Sequence, residues 1–339
     1  MRIALDAMAG DHGHEELIAG ALLAVEQGGI EVTLVGDEGL LQRSLETLAP
    51  SPKISALLNI VHCTQVIEMN EYPVDAVRKK KDASVMVAFD LVRRGEADAA
   101  VSAGNSGATM AAAVRKLGRL GSVNRPGIAS VFPTLKKPVV LMDIGANVDC
   151  RAQHLLQFAI MASAFSKVHD VSNPRVGLLT IGEETGKGNS LIKETYPLLE
   201  KSTLNFIGNV EGRDVFRGDV DVIVCDGFVG NICLKVSEGL AEAAMSMLRD
   251  EILKSTLAKI GYLLARNAFK AFKKRVDYAE YGGAPLLGIN GVGIICHGKS
   301  SSQAIKNAIL EAGKMVKRNI NREILASLEA SNNVVELEN

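Results

Sequence analysis

The stretch DAAVSAGNSGATMAAA, residues 98–113, joins three kinds of local sequence that together define one α/β unit. Apolar residues predict the end of a buried strand, small polar residues and glycines predict a turn, and alanines predict a helix. The first turn of a helix has backbone N–H groups without intrahelical partners, and glycines let a ligand approach the main chain. Such a terminus attracts phosphate. The alternative is an ordinary tight connection between a strand and a helix. The candidate phosphate-binding residues here are Ser102, Asn105, Ser106 and Gly107.

The same order of apolar strand, glycine turn and helix recurs at residues 2–25, 32–45, 139–165, 175–195, 220–244 and 292–313. Strands that alternate with helices predict a mostly parallel sheet with helices on both faces. Ligands gather at the carboxyl ends of the strands in such sheets. We expect a single α/β domain over residues 1–339, built as two lobes around a cleft, and the sequence places no boundary between the lobes.

Composition excludes several classes of protein. The formal net charge of −1 argues against a nucleic-acid partner, and five scattered cysteines without a C-x-x-C pair argue against a disulfide frame or a zinc site. The first residues, MRIALDAMAGDHGHEE, are charged throughout, unlike a signal peptide. No uncharged apolar stretch reaches the roughly 18 residues of a membrane span. These features predict a cytosolic globular protein.

Two further motifs bear on cofactors. DHGH, at residues 11–14, resembles part of a metal site, but the remaining histidines supply too few partners, so we expect no metal. No G-x-G-x-x-G follows a predicted strand, so we expect no dinucleotide and no other cofactor.

A lysine lies in the glycine-rich loop IGEETGKGNS, residues 181–190. The loop fails as a nucleotide-binding P-loop, because only three residues separate Gly182 from Gly186 and a glycine follows Lys187. A lysine at a strand end remains a good ligand for an anion. The alternative is a solvated loop lysine.

Polar residues also follow two other apolar strands. In CDGFVGNICLK, residues 225–235, Asp226 can orient a neighbour and Asn231 can donate to a developing oxyanion, although capping and turn roles are common for both. In CHGKSSSQA, residues 296–304, His297 is a candidate acid or base. The neighbouring candidates for anion binding are Ser300 and Ser301. Cys296 points to the opposite side of its strand from His297, and we assign it to the core.

Residues 247–278 lack both a strand and a glycine turn, and they predict a basic amphipathic helical insert. Eight basic and three acidic residues give this insert a charge of +5. The candidate membrane contacts are Leu257, Leu264, Phe269, Lys270 and Lys273. The alternative is an ordinary helical hairpin that packs on the core or on a second subunit.

Taken together, these stretches resemble the phosphate acyltransferase family of bacterial phospholipid synthesis. The resemblance runs from residue 1 to about 325 and rests on ALDAMAGDH, SAGNSGATMAAA, RPGIA, MDIGANVD, LLTIGEETGKGN, FIGNVEGRD, VDVIVCDGFVGNICLK, GGAPLLG and CHGKSSSQAIKNAI. Two positions depart from the family pattern, since Ala9 replaces a glycine and His14 a proline. These departures affect only the shape expected for the first loop.

The resemblance implies a three-layer α/β/α sandwich like that of the phosphotransacetylases and the isocitrate and isopropylmalate dehydrogenases. It implies a homodimer that makes acyl phosphate from fatty acyl-acyl carrier protein and inorganic phosphate. The product would feed a membrane glycerol 3-phosphate acyltransferase. It further implies a cytoplasmic protein that associates peripherally with the inner face of the cell membrane through the insert.

This chemistry suits the candidate residues. Phosphate near pH 7 already has a substantial dianion fraction, so the site needs to place it and to stabilise an oxyanion. Phosphate is assigned to the helix start at 105–107, with Lys187 or Ser301 adding charge or hydrogen bonds. Asn231 or His297 would hold the carbonyl oxygen, His297 would also protonate the departing thiolate, and Asp226 would orient one of them.

Three other functions stay open at this point. They are a phosphotransacetylase-type enzyme that uses coenzyme A thioesters, a non-catalytic membrane-associated scaffold, and a metal-dependent decarboxylating dehydrogenase. For the carrier protein, which is acidic, two basic clusters are candidate docking surfaces. They are residues 78–81 and the set Arg115, Lys116 and Arg119. The alternative is that both clusters are ordinary solvated helix faces.

Overall fold

The computed structural model describes residues 1–276 and 282–337, without the side chains at 273, 274, 276 and 332–337. In these ranges eleven short strands form one continuous sheet. The strands are β1 (Arg2–Asp6), β2 (Glu31–Gly36), β3 (Leu58–His62), β4 (Ala99–Ser102), β5 (Gly127–Phe132), β6 (Val139–Met142), β7 (Arg175–Leu179), β8 (Asn205–Val210), β9 (Val222–Val224), β10 (Ala284–Leu287) and β11 (Gly293–Ile295). Their order across the sheet is β3-β2-β1-β4-β11-β10-β5-β6-β9-β7-β8.

The sheet contains two parallel groups of strands that run in opposite directions. β3, β2, β1, β4 and β11 are parallel to one another, and so are β6, β9, β7 and β8. Between the groups, β10 is antiparallel to both of its neighbours and β5 is antiparallel to β6. The carboxyl ends of β1, β4 and β11 therefore form one group, and those of β6, β7 and β9 form another.

Helices cover both faces of the sheet. They are α1 (His14–Gly28), α2 (Glu38–Leu48), α3 (Pro52–Ser55), α4 (Pro73–Lys79), α5 (Ser84–Arg93), α6 (Ser106–Leu117), α7 (Ala152–Val168), α8 (Ser190–Glu200), α9 (Gly227–Lys254), α10 (Thr256–Val276), α11 (Ser302–Lys317) and α12 (Ile320–Leu337), and a 3₁₀ helix spans Gly212–Phe216. One core lies between the sheet and α1, α7, α11 and α12. A second core lies under α4, α5 and α6. This arrangement confirms the predicted α/β/α sandwich with a mostly parallel sheet.

The strand sequences explain where each strand lies. Every residue of β4, β6 and β9 is buried, as expected for strands covered by helices on both faces. The strand β3, at the edge, has no fully buried residue. The helix α7 is buried over almost its whole length because it packs against the sheet, α8 and α12.

The helices α9 and α10 pack against each other as a hairpin that stands away from the core. In α9, which has 28 residues, only Gly227 and Gly230 are buried. The predicted insert, residues 247–278, begins inside α9, because the helix runs on without a break from the glycine turn at its start. Among the helices of the described ranges, none has both the length and the apolar character needed to cross a bilayer.

Candidate active site

The buried carboxylate of Asp6 holds the loop after β4 in place. Asp6 and Ser102 are paired across β1 and β4, and the Ser102 hydroxyl donates to Asp6 Oδ2 at 2.7 Å. The same hydroxyl oxygen accepts from the N–H of Gly104 at 3.2 Å. Burial raises the pKa of Asp6, against the hydrogen bonds that it accepts. Ser102 is only 2% exposed, so its contacts favour a role in shaping the loop at residues 103–107 over direct contact with a bound anion.

The start of α6 presents free backbone donors. Asn105 is the N-cap, and its Oδ1 accepts from the N–H of Ala108 at 3.0 Å. Its amide nitrogen donates to the carbonyls of Met69 at 2.9 Å and Glu71 at 3.2 Å. Ser106 and Gly107 are exposed, and no hydrogen bond from their N–H groups occurs within the described residues. This helix start can therefore accept an anion.

The loop after β11 lies beside the loop after β1. The N–H of Asp11 donates to the carbonyl of Gly298 at 2.7 Å. His297 is exposed, and its Nδ1 accepts from the N–H of Lys299 at 3.1 Å. The other ring nitrogen, Nε2, takes no part in this hydrogen bond. Cys296 is buried, and burial raises the pKa of its thiol to about 12, so it is a core residue as expected.

The start of α11 differs from that of α6 because a carboxylate already occupies it. Ser301 is the N-cap, and its Oγ accepts from the N–H of Ala304 at 3.3 Å. The N–H of Ser302 donates to Glu16 Oε1 at 2.5 Å. Ser300 is half-buried, and its N–H donates to the carbonyl of His297. Since Glu16 supplies a negative charge here, the helix start at α6 is the more favourable of the two for phosphate.

A second group of site residues surrounds Asp143, directly after β6. The carboxylate of Asp143 accepts from the N–H groups of residues 128, 145, 146 and 147 and from the Asn147 amide, at 2.7–3.3 Å. Burial raises its pKa, against these hydrogen bonds. So many donors fix the loop at 143–147 as a rigid support.

The start of α9 packs against the loop at residues 143–147. Asp226 is the N-cap of α9, and its Oδ1 accepts from the N–H of Val229 at 2.9 Å. A Cβ atom at Gly230 would lie 1.9 Å from the carbonyl oxygen of Asp143, so only glycine fits there. Asn231 is exposed, and its side chain lies about 3.5 Å from where a Cβ at Gly145 would be. Asn231 can therefore offer its amide to a ligand, while Asp226 acts as a cap.

Lys187 lies in a third loop, after β7. It is exposed, and its N–H donates to the carbonyl of Glu184 at 3.0 Å. The amide of Asn209 donates to the same carbonyl at 2.9 Å, and Asn189 caps α8. The loop thus holds its own shape and leaves the Lys187 ammonium group at the surface.

The structure brings the predicted residues together in sets. Ser102, Asn105, Ser106 and Gly107 lie with His297, Ser300 and Ser301 at the carboxyl ends of β4 and β11, and Asp226 and Asn231 lie with Asp143. In the described part of the chain no hydrogen bond joins the two sets. The two sets follow strands that run in opposite directions, because β5 is antiparallel to β6. Lys187 follows β7, which pairs with β9, the strand that precedes Asn231.

Sequence reasoning missed several residues that build these sets. They are Asp6, Asp11, Glu16, Met69, Asp143 and Asn147. An aspartate directly after an apolar strand, as in RIALD and VVLMD, was the available signal for Asp6 and Asp143. Met69 and Glu16 contribute through tertiary contacts that no local pattern shows.

The predicted membrane contacts lie on α10, with one difference. Leu257 is 79% and Leu264 83% exposed, and Lys270 is exposed too. Phe269 is half-buried, and its ring centroid lies 4.9 Å from that of Tyr262. The side chain of Lys273 lies outside the described residues. On α9 a further apolar stripe is exposed, formed by Phe228, Ile232, Val236, Leu240 and Met247.

Several of the predicted basic docking residues are paired. Lys80 forms an ion pair with Glu71 at 2.5 Å and Lys116 with Asp90 at 3.0 Å, while Arg119 donates to the carbonyl of Asn124. The exposed remainder, which we call the basic patch, comprises Arg78, Lys79, Lys81 and Arg115. These residues lie on or beside α4 and α6, which pack together.

Comparison with known proteins identifies the family. The model of a family described as "Fatty acid synthesis protein" matches residues 1–323. A phosphate acyltransferase of Geotalea uraniireducens is 53% identical over 330 residues, which cover 97% of this chain and 94% of that protein. One of Pelotomaculum thermopropionicum is 52% identical over 331 residues, which cover 97% and 96%.

Solved structures agree on the fold. A phosphotransacetylase of Staphylococcus aureus superposes with a TM-score of 0.61 at 17% identity, covering 93% of this chain and 94% of the other. A chain described as a putative 4-hydroxythreonine-4-phosphate dehydrogenase of Salmonella typhimurium gives a TM-score of 0.55 at 15% identity, covering 93% and 98%.

The fold is therefore that of the α/β/α enzymes that include the phosphotransacetylases. Within that class, this chain belongs to the phosphate acyltransferase family, as its motifs indicated. It is an acyltransferase of fatty acid and lipid synthesis, and its reaction is acyl transfer with phosphate.

Proposed function

We propose that this enzyme transfers a fatty acyl group from acyl-acyl carrier protein to inorganic phosphate. The observation that carries the proposal is the start of α6, where the N–H groups of Ser106 and Gly107 are exposed and without described partners. No carboxylate caps this helix, whereas Asp226 caps α9 and Glu16 occupies the start of α11. An oxyanion nucleophile is favoured at such a terminus.

The reaction needs placement more than it needs a base. Phosphate carries a substantial dianion fraction near pH 7, by analogy with the second pKa of about 6 of a phosphoserine. One of its oxygens forms a bond to the thioester carbon, and the carbonyl electron pair moves to the carbonyl oxygen. The oxyanion then collapses, the C–S bond breaks, and the sulfur leaves as a thiolate that takes up a proton. The products are acyl phosphate and free thiol.

The residues of each lobe would have a different role in the reaction. His297 lies in the same group as the start of α6, so its exposed ring suits protonation of the thiolate. Asn231 and Lys187 belong to the other lobe and would meet the substrate across the cleft. There the Asn231 amide would donate to the oxyanion and Lys187 would add positive charge. Ser300 and Ser301 would add hydroxyl groups beside the phosphate, and Ser102 would keep its loop in shape.

The basic patch supports a carrier protein as acyl donor. Arg78, Lys79, Lys81 and Arg115 are exposed next to α6, the helix whose start would hold phosphate. An acidic partner is attracted to such a surface, chiefly through a faster association. The patch therefore suits an acidic acyl carrier protein.

The α9–α10 hairpin supports two further assignments. We propose that the apolar stripe on α9 packs against a second copy of the chain in a homodimer. We propose that α10 touches the inner face of the cell membrane through Leu257, Leu264 and Phe269, with Lys270 and Lys273 near lipid phosphates. The enzyme would then be cytoplasmic and peripherally bound. It would deliver acyl phosphate to a membrane glycerol 3-phosphate acyltransferase.

Trapping the product with hydroxylamine tests the proposal. Purified protein is mixed with fatty acyl-carrier protein, with and without phosphate, and acyl hydroxamate is measured. We expect hydroxamate only when phosphate is present. No product from any thioester would indicate a scaffold, and a preference for acyl-coenzyme A over the carrier thioester would indicate a phosphotransacetylase-type enzyme.

A further inference from the structure

Three large apolar side chains are exposed on the segment that borders the start of α6. Met69 is 45%, Tyr72 83% and Val74 72% exposed. We call these three side chains the apolar rim. Exposed apolar residues that occur singly need no explanation, but a group of them beside a site is a candidate binding surface.

The backbone that carries the rim is firmly held. The Asn105 amide donates to the carbonyls of Met69 and Glu71. The Lys80 ammonium group donates to the carbonyl of Val66 at 2.7 Å and to Glu71 Oε1 at 2.5 Å. The exposed side chains therefore stand on a fixed support rather than on a frayed loop.

The segment at residues 69–74, which carries the rim, lies close to the start of α6 and to the loop of His297. A Cβ atom at Gly107 would lie 2.7 Å from Pro73 Cγ, between Tyr72 and Val74 in the chain. A Cβ atom at Gly298 would lie 2.9 Å from Met69 Cε. The rim thus begins directly beside the free N–H groups of α6 and reaches the loop of His297.

We infer that the apolar rim binds the first part of the acyl chain of the thioester. The inference rests on the proposed function, because it takes phosphate to lie at the start of α6. The thioester carbon must come within about 3–3.5 Å of a phosphate oxygen, so the first methylenes of the chain must cross the surface next to it. On the side of α11 that surface carries Asp11, Glu16 and Lys299, whereas the rim offers apolar contact.

A series of acyl chains tests the inference. Butyryl, octanoyl and dodecanoyl carrier thioesters are compared at saturating phosphate, with kcat/KM measured by hydroxylamine trapping. The variants are Tyr72→Ser with Val74→Ser, and Val74→Leu alone, all at exposed positions where folding is not at risk. Leu135→Ser serves as a matched control, since Leu135 is 78% exposed and lies outside the rim.

In the wild type we expect kcat/KM to rise from butyryl to octanoyl, because each fully buried methylene raises kcat/KM by about fourfold. The double variant is expected to lower the octanoyl-to-butyryl ratio by roughly tenfold and to leave the KM for phosphate unchanged. Val74→Leu should preserve or raise the ratio, and Leu135→Ser should leave it unchanged.

Other results would overturn the inference. An unchanged ratio in the double variant, or an equal loss for all chains, would show that the rim does not bind the acyl chain. An unchanged ratio together with a loss of dimer in sedimentation would assign the rim to a second copy. Absence of product from the wild type with every thioester would instead overturn the proposed function itself.

Discussion

The side-chain amide of Asn105 donates a hydrogen bond of 2.9 Å to the backbone carbonyl of Met69, while its oxygen caps α6. One side chain thus fixes both the start of α6 and the segment beside it. The geometry of the proposed phosphate site therefore depends on this residue.

Replacing Asn105 with alanine is therefore expected to affect both stability and phosphate binding. Loss of the cap should lower the free energy of unfolding by about 1 kcal/mol, and the KM for phosphate should rise by roughly tenfold as the free N–H groups lose their alignment. Asp37→Ala removes the equivalent cap of α2 and serves as the control. A similar rise of KM in both variants would show a general effect of stability.

Lys187 and Asn231 test the contribution of the loops that follow β7 and β9. Asn231→Ala should lower kcat by roughly 10²–10³-fold if its amide stabilises the oxyanion. Lys187→Ala should raise the KM for phosphate, because it removes positive charge. Steady-state kinetics with the carrier thioester measures both. If neither variant changes turnover, the assignment of these two residues is wrong.

Charge reversal tests the basic patch. Arg78→Glu with Arg115→Glu should raise the KM for the carrier substrate by tenfold or more at low salt, by reversing the attraction to an acidic partner. The KM for phosphate should change little. Arg43→Glu on α2, an exposed site on another helix, is the matched control. Equal effects on both substrates would dismiss the patch as a docking surface.

Liposome binding tests the hairpin. Leu257→Gln with Leu264→Gln removes two exposed leucines, each of which is worth about 1.5–3 kcal/mol when buried in lipid. Binding to anionic vesicles in a flotation assay should fall by more than tenfold, and Leu48→Gln, at an exposed position on α2, should leave it unchanged. Phe269 is kept, because it packs on Tyr262. Unchanged binding of the leucine variant would indicate that the hairpin packs against a second subunit and not against lipid.

Asp221 gives a prediction for pH dependence. Its burial raises the pKa, but the hydrogen bonds and charge of Arg175, at 3.0 Å, outweigh burial and hold the pKa below its ordinary value of about 3.8. Because the pKa of the folded state lies below that of the unfolded chain, the carboxylate stabilises the fold at pH values above the unfolded pKa. This stabilisation is lost as the pH falls through the folded pKa. Asp221→Asn should lower the free energy of unfolding by about 1 kcal/mol at pH 7.

Urea unfolding at pH 7 and pH 3 measures this difference. The gap between wild type and Asp221→Asn should shrink at pH 3, where the wild-type carboxylate also begins to take up a proton. Asp219→Asn, in a more exposed ion pair with Lys136, should show a smaller effect. A gap of equal size at both pH values would contradict the assignment.

Local sequence predicted the parts of the site that local chemistry forms. The caps Asn105, Asp226 and Ser301 lie in the turns that follow apolar strands, and each accepts from its own helix. Ser102 is different, because its partner Asp6 belongs to β1 and meets it only through the pairing of β1 with β4. A strand residue can face either side, and only the sheet decides which.

The largest miss concerns strand direction. A chain of repeated strand–helix units suggested that all strand ends converge in one cradle, but β10, formed by GGAPLLG, is antiparallel to both of its neighbours. That single strand is short, and its place between β11 and β5 comes from pairing over long sequence distances. β10 leaves β5 running in the same direction as β11, and the antiparallel pairing of β5 with β6 then reverses the second group of strands. The carboxyl ends of β4 and β11 are therefore separated from those of β6 and β9.

Binding of phosphate at the start of α6 is the claim on which the account depends most. A crystal structure of the protein with phosphate measures it directly. The account predicts an ion whose oxygens accept from the N–H groups of Ser106 and Gly107. An ion held only at the start of α8 or α11, with the start of α6 left bare, would contradict it.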